Sequence, residues 1–516
     1  MPEPTPREAE LSAAVARLSE QLTAAQTELK LLREKVDLLL RRLHGASSEK
    51  LDAAQLLLMM QGLDAGKAGE PVGEEAPRRS AIPLPPPNKP RRRPRLPEHL
   101  PIVEEVIVPE PVRACPDAWR WMGEEVTELL DYEPARFFVR RIVREKYVPI
   151  DHRYKAPVIA PLPTLQDRCL AAPGLLAGII VGKYCDHLPL YRQEQIFRTR
   201  HQVDLPRQTM AQWMGLAADW LRPIYETIRT GVLGGGYVQV DETPIEYLVP
   251  GHGETKLGYL WTCARPRGDV VFHWATSRAA ACLEAVLPAG WEGIVQCDGY
   301  AAYPAFARTR NALAGKTALT LAGCWAHARR GFMEAQPQQP RLCGWILHQL
   351  GLLYRIERRL REKGAGPALR QAARAAESAM ILARLRAALL RLRGRWLPQS
   401  GLSKAIAYTL EQWPALVAFL QDGRVEIDNN LVENAIRPTA LGKKNWLFIG
   451  ADHAGERGAI LYTIIESCRR RGLDPFAYLR DVLTRLPKST NHQVKDLTPE
   501  AWAKAQRATP PSQLAA

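Results

Sequence analysis

Residues 237 to 241 read Tyr237-Val238-Gln239-Val240-Asp241, a short apolar run of strand type that ends on a carboxylate. A second such run, Ile294 to Cys297, is followed by Asp298, and a third acid, Glu433, lies on a predicted helix. An acid is costly to hold at the edge of an apolar sheet unless something pairs with it, and a divalent cation can pair with several carboxylates at once. The pattern therefore predicts metal-dependent phosphoryl chemistry.

These three acids are far apart in the chain, so only the fold can gather them. If the two strands are neighbours, Asp241 and Asp298 emerge at the same edge of one sheet, and a helix can place Glu433 across that edge. Asn429, Glu433 and Arg437 recur at every fourth residue and share one helix face, which gives Glu433 a basic neighbour one turn away. Asp428 is predicted to be the N-cap of this helix.

Three carboxylates suit two divalent ions about 3.5 to 4 Å apart, and oxygen ligands favour Mg²⁺ or Mn²⁺. The segment from Cys324 to Phe332 contains two candidate supporting residues, His327 and Arg330. His327 is predicted to orient a phosphate or a water, or else to be a satisfied structural group. Lys443 and Lys444 are predicted phosphate contacts.

The composition favours a nucleic-acid partner. The formal net charge of +15 comes from Lys and Arg spread over all 516 residues, which favours a polyanion. No membrane partner is expected, because the longest apolar stretch, 170–182, is too short to span a bilayer and contains Pro173. Nine cysteines without a Cys-x-x-Cys pair, and no signal peptide, predict reduced thiols and a cytoplasmic, nucleoid-associated protein.

The N-terminal part of the chain has two features. Apolar residues from Leu11 to Leu43 recur at alternating spacings of four and three, which predicts a coiled coil (leucine zipper) over residues 8–44 and a homo-oligomer. The alternative is a helix that packs on the chain's own body. Residues 45–100 are a Pro/Arg-rich linker whose Arg91, Arg92 and Arg93 either contact phosphates or belong to a solvated spacer.

The next two segments are predicted to form separate modules. Residues 101–163 alternate in the manner of strands and predict a small β module. Residues 165–230 predict helices over 173–186, 190–200 and 206–217, which we interpret as a helix-turn-helix DNA-binding domain. Arg207, Gln208 and Gln212 would then reach base edges from the third helix. An ordinary three-helix packing unit is the alternative.

The remaining segments complete an α+β multidomain protein. Residues 236–335 predict four strand runs (237–240, 245–249, 257–264 and 270–275), a helix over 279–287 and a further strand that ends at Asp298. Residues 336–425 predict an all-helical insertion whose arginine-rich face either touches DNA or is solvated. Residues 236–335 and 426–484 are predicted to be the first and second parts of one catalytic domain. Residues 485–516 are treated as a C-terminal tail.

Taken together, these motifs resemble the transposases of the insertion sequence sixty-six family, which are large DDE-type proteins. The resemblance covers most of the chain, and its most specific segments are Lys183 to Gln193, Val240 to Thr243, Asp298 to Tyr300, Cys324 to Arg330, and Asp428 to Pro438 with Gly442 to Trp446. It implies an RNase H-like catalytic domain in which Asp241, Asp298 and Glu433 are the acidic triad. It also implies hydrolysis at each element end, attack on target DNA by the freed 3′ hydroxyl, and two small accessory proteins from the same element.

In one place the chain departs from that family. Its members usually carry two Cys-x-x-Cys pairs between the linker and the helix-turn-helix, whereas this chain retains only Cys115 there. A structural zinc site needs four ligands. We therefore expect the β module, a degenerate zinc-ribbon-like unit, to fold without a structural zinc.

Two alternatives to a DNA-cleaving, strand-transferring transposase stay open. A sequence-specific DNA-binding regulator derived from a transposase would use the zipper and the helix-turn-helix without catalysis. A stand-alone RNase H-like nuclease would cleave DNA without joining strands.

Overall fold

A computed structural model describes residues 100–508, apart from 134–135, 151–155, 163, 167–168, 250, 252 and 267. The chain divides at Arg92, and every described residue belongs to the unit Arg93–Ala516. The predicted coiled coil at 8–44 and the linker arginines Arg91, Arg92 and Arg93 lie outside the described residues.

The first module is a small sheet. Its elements are β1 (Ile102–Ile107), α1 (Glu110–Ala114), β2 (Trp119–Glu133), β3 (Arg136–Pro149) and β4 (Val158–Ile159). Strands β2 and β3 form a long antiparallel hairpin, β1 lies parallel to β3, and β4 pairs antiparallel with β3. Alternation puts Leu129 and Ile142 in a small core, while Cys115 is exposed at the end of α1.

Three helices follow this sheet: α2 (Pro173–Tyr184), α3 (Leu190–His201) and α4 (Arg207–Leu233). Helix α3 ends where Gln202 adopts a left-handed conformation, and Pro206 precedes α4. The predicted end of the third helix at residue 217 is wrong, since α4 has 27 residues. Its buried apolar residues continue past that point through Leu221, Ile224 and Ile228, so one buried stripe holds a single long helix.

A larger mixed sheet forms the centre of the unit. It consists of β5 (Tyr237–Leu248), β6 (Thr255–Ala264), β7 (Val270–Ala275), β8 (Gly293–Gln296), β9 (Leu319–Ala322) and β10 (Phe448–Ile449). The strand order is β7-β6-β5-β8-β9, and β10 pairs with β5. Strands β5, β6 and β7 are antiparallel neighbours, whereas β8 and β9 run parallel to β5. The connections contain α5 (Leu283–Val286), α6 (Ala302–Ala314) and α7 (Trp325–Ala335).

Three local predictions in this region need correction. The runs 237–240 and 245–249 form one strand, because β6 pairs with β5 from Gln239 to Leu248 without a break. Asp241 therefore lies inside its strand, and Asp298 lies two residues beyond β8, which ends at Gln296. The helix predicted at 279–287 is a 3₁₀ turn followed by the four-residue helix α5.

A helical region separates α7 from the last part of the sheet. Its helices are α8 (Pro340–Glu362), α9 (Pro367–Ala373), α10 (Ala379–Leu392), α11 (Gly401–Glu411) and α12 (Trp413–Leu416), with a π-helical turn at Arg374–Ser378. These helices share an apolar core with α7, to which Trp325, Phe332, Ile346, Leu350 and Leu385 contribute. The region therefore packs on α7.

The chain ends in four helices: α13 (Asn430–Trp446), α14 (Asp452–Arg469), α15 (Pro475–Arg485) and α16 (Pro499–Ala508). The middle of α14 is buried on all sides between β7 and α4. The segment treated as a tail after residue 485 is folded through Ala508, since Val494 and Leu497 belong to the main core. That core also contains α2 to α4 and the large sheet, so α4 is joined to the sheet by continuous packing. None of the described helices is long and apolar enough to cross a membrane.

Candidate active site

Parallel pairing of β5 with β8 brings Asp241 and Asp298 to the same part of the large sheet. The register pairs Tyr237 with Ile294 and Gln239 with Gln296. Each aspartate follows its paired glutamine by two residues. Because side chains alternate along an extended chain, this equal offset directs both carboxylates to the same region.

A buried network of glutamine side chains connects this part of the sheet to the segment before α13. Gln239 Nε2 donates to Gln296 Oε1 at 2.9 Å and to Asp428 O at 3.0 Å, and Gln296 Nε2 donates to Glu426 O at 2.8 Å. Tyr237 adds a hydroxyl that donates to Gln296 Oε1 at 2.6 Å. Both glutamines are fully buried. The network therefore fixes the start of α13 against the two strands.

Sequence analysis missed these glutamines, although a signal for them was present. The two strands repeat one pattern, Val238-Gln239-Val240-Asp241 and Val295-Gln296-Cys297-Asp298. A buried glutamine two residues before each acid is costly unless its amide has partners. The repeated pattern thus indicates a shared polar network beneath the acids.

Helix α13 brings Glu433 to the same place. Glu433 lies in the first turn, where the partial positive charge of the helix N-terminus favours a carboxylate. The N-cap prediction was displaced by one residue: Asn429 occupies that position, and Asp428 accepts a hydrogen bond from Asn430 N at 3.2 Å. Asn429 is fully buried, whereas Arg437 is exposed.

The three acids interact electrostatically. Burial, with added repulsion from the carboxylates of Glu242, Asp298 and Glu433, raises the pKa of Asp241 to about 7. A carboxyl group is shifted this way when its ionised form lacks a compensating cation. The site therefore carries negative charge that the nearby protein groups leave partly unbalanced.

Glu242, the residue next to Asp241, is in contrast balanced by protein groups. Its carboxylate accepts hydrogen bonds from Arg278 Nε at 2.6 Å and from the Tyr303 hydroxyl at 2.5 Å. The Arg278 guanidinium also lies 3.7 Å from the centre of the Tyr300 ring, and Tyr300 N donates to Asp298 Oδ1 at 2.9 Å. These residues were not predicted from the sequence. They connect Glu242 to the loop that carries Asp298.

His327, at the start of α7, is the basic side chain placed next to Glu433. Its Nδ1 lies 3.7 Å from Glu433 Oε1. The two helices are held together at this point, because Trp325 N donates to Ile427 O at 3.2 Å. Arg330, predicted to support the site, is exposed on α7.

The remaining predicted contact residues lie at two other places. Lys443 Nζ donates to Pro244 O at 2.9 Å and to Thr243 Oγ1 at 3.2 Å, so its ammonium group rests on β5. Burial and the neighbouring Lys444 lower the pKa of Lys443, while Lys444 itself is exposed. At the start of α4 three side chains are exposed to solvent: Arg207, Gln208 and Gln212.

The fold and this site define a mixed α/β protein with a basic overall composition and, on its central sheet, an acidic cluster formed by Asp241, Asp298 and Glu433. Residues 168–457 match the family model described as "Transposase IS66 family", which covers more than half of the chain. The chain therefore belongs to the IS66 family of transposases. Two further models match: "IS66 C-terminal element" over 463–499 and "Transposase C of IS166 homeodomain" over 31–105. Transposases of this kind generally use a divalent metal.

Three relatives from Sinorhizobium fredii are similar over nearly their whole length. Uncharacterized protein y4jD is 37% identical over 499 residues, which cover 91% of this chain and 94% of the relative. Uncharacterized protein y4qI is 35% identical over 500 residues, which cover 93% of this chain and 90% of the relative. Uncharacterized protein y4hP is 31% identical, with 92% and 89% covered. Their descriptions carry no activity, so the chemistry has to be argued from the site.

Proposed function

We propose that this protein is a DDE transposase that binds insertion-sequence ends and catalyses metal-dependent DNA strand cleavage and strand transfer. The observation that supports the proposal is that the charges of Asp298 and Glu433 help to raise the pKa of Asp241, together with the strand register that places both aspartates two residues after paired glutamines. Structural acids in proteins are normally balanced by a nearby cation or by several donors. An acid cluster that lacks such balance is suited to a ligand of opposite charge.

The donor types of the three acids suit divalent metal ions, although their carboxylate oxygens do not all lie within 4.8 Å of one another. Asp241, Asp298 and Glu433 offer carboxylate oxygens, which Mg²⁺ and Mn²⁺ prefer, and Glu433 Oε1 is buried without a hydrogen-bond partner in the described part of the chain. Two ions bound there would activate the attacking oxygen and stabilise the leaving oxygen at phosphorus. The protein's own contribution is to hold the three carboxylates in place through the sheet register and the glutamine network.

Other side chains near the three acids have supporting roles in this proposal. His327 is placed to orient Glu433 or a phosphate, and Asn429 is buried at the N-terminus of the helix that carries Glu433. Arg330 and Arg437 are exposed and would contact the DNA backbone near the site. Lys444 would do the same, whereas Lys443 already contacts β5 and would mainly place α13.

We also propose that the catalytic domain is RNase H-like, as the sequence resemblance implies. Three antiparallel strands followed by two parallel strands support this assignment. The acids lie on the first strand, beyond the fourth strand and on a later helix. The helical region between Asp298 and Glu433 would then be an insertion into that domain.

DNA binding is assigned to the helices that precede the sheet. The start of α4 presents Arg207, Gln208 and Gln212 to solvent, as a recognition helix would. Because α4 continues to Leu233 and packs on α14 and β7, a DNA end bound there would be held rigidly relative to the acids. Homo-oligomerisation through residues 8–44, phosphate contacts from Arg91, Arg92 and Arg93, two accessory proteins, and a β module without zinc remain predictions.

The test is a cleavage assay with the full chain and labelled element ends, with and without the accessory proteins, in Mg²⁺ and in Mn²⁺. Asp298→Ala should reduce nicking and strand joining by at least about 10³-fold while end binding persists, because only the metal-holding carboxylate is removed. Asp496→Ala, which alters an exposed aspartate far from the site in sequence, is the matched control and should cleave normally.

Three other results would change the assignment. Binding without nicking in either metal would support the DNA-binding regulator. Nicking without strand joining would support a stand-alone nuclease. Nicking that survives Asp298→Ala would contradict the role given to the three acids.

A further inference from the structure

A second group of metal-ligating side chains shares Glu433 but consists of different donors. Cys324, His327 and Glu433 each place one donor atom within 4.8 Å of the other two. Among the described residues, this is the one place where three His, Cys, Asp or Glu side chains meet the geometry of an ion site. Cys324 directly precedes α7, and His327 is the third residue of that helix. The fold brings Glu433 to them from α13.

Two of these donor atoms lack hydrogen-bond partners. His327 Nδ1 and Glu433 Oε1 lie 3.7 Å apart, and both are buried without a partner within the described part of the chain. Leaving one such atom unsatisfied costs about 1 to 3 kcal/mol. A bound cation would satisfy a lone pair on each atom at once. The arrangement therefore indicates a ligand that accepts electron pairs.

The donor set selects the class of cation. A thiolate, an imidazole and a carboxylate together suit a borderline-soft ion such as Zn²⁺, whereas Mg²⁺ requires oxygen donors. Bond lengths of about 2.0 to 2.3 Å place tetrahedral donors roughly 3.3 to 3.8 Å apart. The imidazole-carboxylate distance of 3.7 Å falls in that range, and the three donor atoms all lie within 4.8 Å of one another.

We propose that Cys324, His327 and Glu433 form a binding site for a thiophilic divalent cation, with water as the fourth ligand, and that its occupation inhibits DNA cleavage. The inhibitory part rests on the proposed function, because it assumes that Glu433 also serves the hard-ion site with Asp241 and Asp298. Glu433 cannot orient its carboxylate fully toward both sites. Binding releases the thiol proton of Cys324 to solvent, and no other covalent change is required.

The site lies close to the protein surface. The side chains of His327 and Glu433 are 24% and 28% exposed, whereas Cys324 is 1% exposed. The thiol is therefore the most deeply buried of the three groups. The buried thiol distinguishes this site from the acidic cluster of Asp241, Asp298 and Glu433. Cys324 is therefore the residue to test.

Binding can be measured without any activity assay by titrating the metal-free full chain with Co²⁺. Co²⁺ replaces Zn²⁺ in such sites, and a cobalt-thiolate bond gives a near-ultraviolet charge-transfer absorption. We expect this absorption in the wild type, its loss when Zn²⁺ is added, and its absence in Cys324→Ser. Glu433→Gln should weaken Co²⁺ binding by about 10- to 100-fold while it retains the absorption at saturation.

Matched variants distinguish Co²⁺ binding at this site from binding at other thiols or at the acidic cluster. Cys115→Ser removes the exposed cysteine and Cys343→Ser removes a buried one, and both should keep the absorption. Asp298→Asn should also keep the absorption, because Asp298 belongs to the acidic cluster and not to the site with Cys324. Circular dichroism without metal shows whether each variant is folded. If Cys324→Ser does not fold, Glu433→Gln still tests the site.

In the cleavage assay with Mn²⁺, added Zn²⁺ should inhibit the wild type at least about 10-fold more strongly than Cys324→Ser, each relative to its own uninhibited rate. A cobalt absorption that persists in Cys324→Ser, or that disappears in Cys115→Ser, would overturn the site. Equal inhibition of both proteins by Zn²⁺ would overturn the inhibitory role. A chain that binds Co²⁺ through Cys324 but never cleaves DNA would instead contradict the proposed function.

Discussion

Two clusters of acids in this protein, one fully buried and one half-buried, have opposite pKa shifts. In the helical region, Glu357 is fully buried between Arg374 Nε at 2.7 Å and Arg370 Nη2 at 3.1 Å. Those arginines lower the pKa of Glu357 despite its burial. On the large sheet, burial and neighbouring carboxylates raise the pKa of Asp241 to about 7.

The two clusters differ in how the charge of an acid is balanced by its neighbours. Glu357 and Glu426 are bound by arginines on α9 and the adjoining π turn, so their charge is balanced within the protein. Asp241 is instead close to other acids, which is the pattern expected for the metal-binding role that we propose for it. The two clusters are also linked, because Glu426 immediately precedes the segment that leads into α13.

The largest expected effect is on folding, from Arg374→Met. Removing this guanidinium leaves the fully buried Glu357 with Arg370 as its remaining arginine partner and takes away the donor to the Phe419 and Asp422 carbonyls. Breaking a buried ion pair in this way should lower the free energy of unfolding by about 3 to 5 kcal/mol. Urea denaturation measures it. Arg391→Met, the same substitution at an exposed arginine of α10, should change stability by less than about 0.5 kcal/mol. A small loss for Arg374→Met would mean that the two clusters do not differ as described.

The second effect concerns metal ions. Mn²⁺ at about 100 times its dissociation constant should stabilise the wild type by about 2.7 kcal/mol relative to protein in a chelator, since it binds only the folded acids. The measurement is the denaturation midpoint with and without Mn²⁺. Asp241→Asn should lose most of this gain, whereas Asp496→Ala should keep it. Equal stabilisation of both variants would place the ion elsewhere.

The smallest effect is a pH dependence in metal-free protein. Because the folded-state pKa of Asp241 is raised from 3.8 to about 7, its favourable contribution is complete below the unfolded value and is lost as pH rises through about 7. Asp241→Asn should therefore gain stability relative to the wild type between about pH 5 and about pH 8, on the order of 2 kcal/mol. A difference that stays constant with pH would show that Asp241 is already balanced.

Sequence analysis found the elements of the site whose signals are local. The apolar runs before Asp241 and Asp298 predicted strands, and the spacing around Glu433 predicted a helix. It misplaced the end of the first strand, which depends on the neighbouring strand. Asp241 lies inside β5 because β6 continues to pair with β5 beyond this residue. It missed Glu242, Arg278 and Tyr303, whose contacts join residues far apart in the chain. The roles of the three acids in chemistry remain predictions for the cleavage assay.

The sequence by itself determined the basic composition, the acidic residues available for a site, and the alternation of strand and helix patterns, because these depend on residue type and local spacing. Tertiary structure alone decided which acids are balanced and which are not. That outcome depends on the parallel register of β5 with β8, on the glutamine network that seats α13, and on the arginines that reach Glu357. Apart from the repeated Val-Gln-x-Asp pattern of the two strands, long-range pairing of this kind has no local signal, since its energy comes from groups that only folding brings together.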